Sequence, residues 1–169
     1  MYNTKIIAMT FLSFIFMPII SQENTKLKNI REVFEKNKDN SALCAEYIKK
    51  WENDPSPEVQ GYRSMFSFMM ANHAIDPFNK WHYFSKGKKI LEEQINQHPD
   101  NIELRFLRFV IQCNIPSILG YNDKISQDKE LLLNALKSNK IKDEDLKQRI
   151  IRFMKNNHHL SEKEKKELL

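Results

Sequence analysis

The sequence predicts an all-α fold, a short antiparallel array of helix pairs behind an export signal. Three observations carry that expectation. Only three glycines occur in 169 residues, and Asn-Gly and Asp-Gly, the dipeptides of tight hairpins, are absent. Apolar residues recur at helical spacing from Leu27 to Met154, while period-two alternation of branched residues is rare. Prolines fall between these stretches, at Pro55, Pro57, Pro77, Pro99 and Pro116, where they end or begin helices.

The first 21 residues read as a targeting segment. Lys5 gives a positive start, Ile6 to Ile20 carries no charge, and Ser21 is a small residue just before polar Gln22-Glu23-Asn24. A spanning helix needs about 20 apolar residues, so this shorter run fits a signal-peptide core, with an uncleaved anchor as the alternative. Cleavage after Ser21 leaves one domain over 22–160 and a charged helix or tail over 161–169. No stable membrane span is then expected, and the destination is periplasmic or secreted.

Each helix has its own signal. The first mature helix, near Thr25 to Lys36, spaces Leu27, Ile30, Val33 and Phe34. The second starts at Ser41 as N-cap and gathers Leu43, Cys44, Tyr47, Ile48 and Trp51 on one face. Ser56-Pro57 opens the third, because proline in the first turn sacrifices no hydrogen bond. It aligns Tyr62, Met65, Phe66, Met69, Met70 and His73, with Phe68 pointing elsewhere as the member expected to be exposed. The fourth, Pro77 to Gln97, places Gly87 in the middle of its apolar face, where a neighbouring helix can approach closely. The fifth, Ile102 to Asn114, is apolar around most of its circumference and therefore enclosed. Only Arg105, Arg108 and Gln112 interrupt that coat, within about 60 degrees of one another. Helices from about Asp123 to Ser138 and from Asp143 follow. Ser161 and Glu164 then form a capping box, with Leu160 as its staple, before a tail expected to fray.

Removing Lys5 with the signal leaves 26 Lys and Arg against 22 acids, about +4. The signs alternate along the helices instead of forming a basic block, so nucleic acid is not an expected partner. Cys44 and Cys113 could bridge in an oxidising compartment or pack as two buried thiols. No HExxH, GxSxG, CxxC or glycine-rich phosphate loop occurs, so neither an enzyme nor a cofactor is expected. His158-His159, adjacent on a helix, would chelate metal poorly, and His73 reads as a hydrogen-bonded core histidine.

Trp81 to Asn114, two helices joined at His98-Pro99-Asp100-Asn101, resembles a tetratricopeptide repeat in length and turn, though the Trp-x-x-Leu-Gly start is missing. The string Phe78-Asn79-Lys80-Trp81, Phe84-Ser85-Lys86-Gly87, Glu103 to Arg108 and Ile111-Gln112-Cys113-Asn114-Ile115-Pro116 resembles a family of small uncharacterised exported bacterial proteins. That resemblance covers about 61–136 and implies export and a helical fold without an activity.

Two functional readings follow. The first is a non-catalytic exported helical-repeat protein that binds a protein or peptide partner, with Arg105, Arg108 and Gln112 holding a carboxylate. Within it, an internal role for the two arginines, paired with acids such as Glu103 or Glu92, is the competing explanation. The second is a small-molecule or lipid carrier with a groove or cavity lined by Met65, Phe66, Met69 and Trp81. A cavity above about 300 Å³ lined by Met65, Met69 and Phe66 would favour the carrier, and a filled core with an open polar groove the binding module.

Overall fold

A computed structural model describes residues 13–168, with side chains from Thr25 onward. The start of the expected export segment, residues 1–12, lies outside the described residues, as does Leu169. The described residues form eight α-helices, one 3₁₀ turn and no strand. They are α1 (Ser13–Asn37), α2 (Ser41–Lys50), α3 (Pro57–His73), α4 (Pro77–Gln97), α5 (Ile102–Asn114), α6 (Ile125–Lys137), α7 (Glu144–Lys155) and α8 (Glu162–Lys166), with the 3₁₀ turn at Ser117–Leu119. None of these helices is long and apolar enough to cross a membrane.

Short polar side chains start most of them. The side chains of Asn40, Asp76, Asn101, Asp143 and Ser161 accept from the backbone N–H groups of Leu43, Asn79, Leu104, Leu146 and Glu164. Each such cap contributes about 1 kcal/mol. Asn40, not Ser41, therefore caps α2. α6 starts after Lys124, later than expected and without a side-chain cap. α1 begins at Ser13 and carries the helix across the expected processing point at Ser21.

α3 packs most extensively on α4 and then on α2, and α5 packs on α6. Tyr47 of α2 stacks on Phe66 of α3, Trp51 at the C-terminal end of α2 packs tilted against the same ring, and the Trp51 and Ile48 carbonyls accept from Gln60 and Arg63. Phe68 of α3 meets Phe84 of α4 at 5.7 Å, while Gly87 lies opposite Ser64. A Cβ on Gly87 would stand 3.0 Å from the Ser64 carbonyl oxygen and 3.2 Å from the Phe68 ring. The missing side chain thus serves the α3–α4 contact. The Trp81–Asn114 unit has its expected helices and turn, but α4 packs chiefly on α3, not on α5.

α3 is enclosed from Val59 to Phe68, all ten residues buried. Phe68, expected outside, is covered by Phe84 and Tyr121. Gly61 explains how so much of the helix can be covered: a Cβ there would lie 2.7 Å from Leu104 and 2.9 Å from Leu107.

α5 divides two hydrophobic cores. Leu104, Leu107 and Ile111 face the core made with α1 to α4, whereas Phe106 and Phe109 face the core made with α6, α7 and the C-terminal residues. The charged end is docked: Leu160 and Leu168 are buried in that second core, and Lys129–Glu164 (3.0 Å) and Lys137–Glu167 (2.6 Å) pair across it. The tail expected to fray holds the short helix α8, Glu162–Lys166, followed by a turn that buries Leu168.

Candidate functional site

On a helical wheel at about 100 degrees per residue, the two core-facing sides of α5 leave two flanks. Arg105, Arg108 and Gln112 occupy one, and Val110 lies on the other, about opposite. These flanks have different fates.

The polar flank is consumed internally. All three residues are buried, and so is Asp128 of α6, which is 0 % exposed. Arg105 Nε donates to Asp128 Oδ1, Arg108 Nε and Nη2 donate to the same carboxylate at 2.7 and 2.9 Å, and Arg108 Nη1 donates to Glu92 at 2.9 Å. Burial opposes the charge of Arg108, but Asp128 and Glu92 outweigh it and hold the guanidinium above its ordinary range. Tyr121 donates to Glu92, and burial followed by that carboxylate pushes the phenol up. Gln112 Oε1 accepts from the Lys124 N–H, while its Nε2 has no partner among the described residues. A hollow of about 900 Å³ touches Arg105 beside Gln127 and Leu131. Its guanidinium is nevertheless committed to Asp128. The expected open contact for a partner's carboxylate is therefore an internal ion-pair network.

The other flank opens into a cleft of about 720 Å³ between α1, α3, α5 and α7. Its floor is apolar: Phe34 from α1, Met65 and Met69 from α3, Phe106 and Val110 from α5, and Phe153 from α7. Phe153 is held edge-on by Phe106 and Phe109, at 5.9 and 5.7 Å. Of the four residues expected to line a groove, Met65 and Met69 do so. Phe66 sits behind the wall, fully buried among Phe34, Tyr47 and Trp51, and Trp81 stands on the far surface of the α3–α4 hairpin, 61 % exposed.

Charge closes one end of this cleft. Arg31 of α1, 1 % exposed, donates through Nε and Nη2 to the Glu103 carboxylate at 2.7 Å each and through Nη1 to Asp145 at 3.0 Å. Asp143 stands 2.8 Å from the same Nη1. Burial opposes the Arg31 charge, but Glu103 and Asp143 outweigh it and raise its pKa. Arg149 donates to Asp145 and Glu35 at 2.9 and 3.0 Å, and Tyr62 donates to Glu103 at 3.0 Å. α1 is thereby clamped onto α5 and α7. Nothing in the charge pattern around Arg31 distinguishes it from the solvated charges Lys28, Glu32 and Lys36 on the same helix, so spacing alone could not single it out.

The rim away from the clamp is lined by Lys38, Asp39, Asn114, Arg152, Asn156 and His158. Lys38, Arg152 and Asp39 make no ion pair among the described residues, so two free cations face one free carboxylate. Cys113 also lines the cleft. Its thiol is free and half-buried, pushed up to about 11 by burial, so it is protonated at neutral pH. Cys44 is a second free thiol, buried on the α2–α3 side, where Sγ reaches the carbonyls of Asn37 and Lys38. The considered disulfide is not formed.

His73 hydrogen-bonds the Lys38 carbonyl at 3.1 Å, and the His158 and His159 rings lie 4.1 Å apart, tilted by 39°. No group of three His, Cys, Asp or Glu side chains suited to a metal exists among the described residues. A further hollow of about 650 Å³ lies between α1 and α2, at the first described side chains of α1. No protein-family model, curated protein or solved structure matches the chain.

Proposed function

We propose that this is a non-catalytic exported binding protein whose cleft between α1, α3, α5 and α7 takes an amphipathic anion, an apolar chain ending in a carboxylate or phosphate. One observation carries the reading: a Met- and Phe-floored cleft of about 720 Å³ with unpaired Lys38 and Arg152 on its rim. Ligand pockets of small molecules span roughly 300–1,000 Å³ and combine an apolar lining with few polar anchors. Thioethers suit a flexible chain because they repack around varied shapes. A guanidinium offers the planar donor fork that fits a carboxylate or phosphate. Export is supported by the N-terminal sequence, with Lys5 ahead of the uncharged run Ile6 to Ile20.

The test uses the Cys113 thiol as reporter. Oleate titrated into the protein is expected to protect Cys113 from alkylation under native conditions, with Cys44 as the buried reference. Arg152→Ala, losing one charge-assisted anchor, weakens oleate binding about tenfold. Unprotected Cys113 at saturating oleate, together with no heat of binding, would reject the reading.

A further inference from the structure

The tip of the α3–α4 hairpin carries a second surface that does not depend on the cleft. Ile75 is 97 % exposed, Phe78 88 % and Trp81 61 %. Their backbone is held firmly: Asp76 caps α4 by accepting from the Asn79 N–H at 2.8 Å, and the hairpin is locked behind it through Phe68, Phe84 and Gly87. Phe78 and Trp81 lie one turn apart on α4, and Ile75 precedes the cap, so three large apolar groups are presented together. Trp81 rests against Phe84 at 5.9 Å. Grouped apolar side chains on a rigid tip mark a contact surface, unlike single scattered ones.

The surrounding charge identifies what they contact. Between Ala74 and Ile90 the chain carries Lys80, Lys86, Lys88 and Lys89 against Asp76 alone. Lys89 pairs with Glu93 at 3.9 Å, and Lys88 covers the Tyr121 ring, which leaves Lys80 and Lys86 without ion pairs among the described residues. The side chains at the tip stand largely in solvent. They bury best in a medium that deforms around them. Tryptophan favours the membrane–water boundary, and lysines beside it pair with anionic headgroups while their stems stay apolar. We propose that this tip docks the protein on an anionic lipid bilayer, with Ile75, Phe78 and Trp81 entering the headgroup–acyl boundary and Lys80 and Lys86 meeting lipid phosphates.

The full chain is mixed with vesicles of phosphatidylglycerol and brominated phosphatidylcholine while tryptophan fluorescence is followed. Trp51 is buried in the core, tilted against Tyr47 and Phe66, out of the bromines' reach. Quenching is therefore expected in the parent chain and lost in Trp81→Phe, whose exposed position leaves the fold intact by circular dichroism. Lys80→Ala and Lys86→Ala each weaken the vesicle dependence of quenching about fivefold, the contribution of one basic residue near an anionic surface. Equal quenching of both chains, or none, overturns the proposal even if the protein sediments with vesicles through its apolar N-terminal stretch. Absent quenching with self-association that Phe78→Ser abolishes would assign the tip to a second copy instead, and also overturns it. Either failure leaves the Cys113 protection result, and so the cleft reading, unaffected.

Discussion

Asp128 is the residue on which the interior polarity of this protein turns. Two guanidiniums converge on one fully buried carboxylate, and breaking such a group by removing one partner leaves charge in the interior without compensation. Asp128→Ala is expected to destabilise the fold by about 3–5 kcal/mol in denaturant titration. A loss below about 1 kcal/mol would mean that water reaches Arg105 and Arg108. The unusual half of this network was legible in the sequence. Arg105, Arg108 and Gln112 stand out as a narrow polar stripe on an oily helix, and Glu92 is one of the acids that the sequence offers them. Their main acceptor was not legible, because Asp128 lies on another helix and reads as an ordinary surface acid there. Glu103, the other acid named, is taken by Arg31 instead.

At the scale of the helix, boundaries followed local chemistry and were read closely. α4 and α5 occupy the expected residues because proline, caps and the His98–Asn101 turn act within a few positions. Partner choice did not follow from such signals. The Met-rich face of α3 suggested an amphipathic helix, yet Gln60, Gly61, Ser64 and Ser67 are also buried, since small or internally bonded residues permit close approach without being oily. The helical wheel marks Gly87 as a contact point but cannot say that the neighbour is α3. Gly87→Leu is expected to cost about 3 kcal/mol, because the Ser64 backbone cannot yield as a flexible side chain would. An unchanged melting temperature would show that α4 can slide on α3.

Across the whole molecule, two cores share α5, and ion pairs tie the outer helices over both. This architecture predicts sensitivity to acid. Arg149 and Arg31, working against burial, hold the Asp145 carboxyl below its ordinary value, and the Ser161 N–H and Lys129 pull Glu164 down to about 2 from 4.5. A carboxylate depressed in the folded state binds its proton more readily in the unfolded chain. The stabilisation it gives is therefore complete above the unfolded value and lost as pH falls toward the folded one. For Glu164 that window is pH 4.5 down to about 2. Melting temperatures across this range should fall more steeply in the parent chain than in Glu164→Gln, and parallel profiles would remove Glu164 from the docking of α8. The cleft itself emerges only at this scale. Met65 and Met69 were read as a candidate lining, but the opposite wall comes from α5 and α7, whose placement against α1 depends on Arg31.

The most direct measurement is a methyl spectrum of the protein labelled at its seven methionines, recorded as oleate is added. Met65 and Met69, on the cleft floor, are expected to shift together and saturate, while Met154, fully buried in the second core, stays in place. Shifts confined to Met154, or no shift at Met65 and Met69, would contradict a ligand in the cleft.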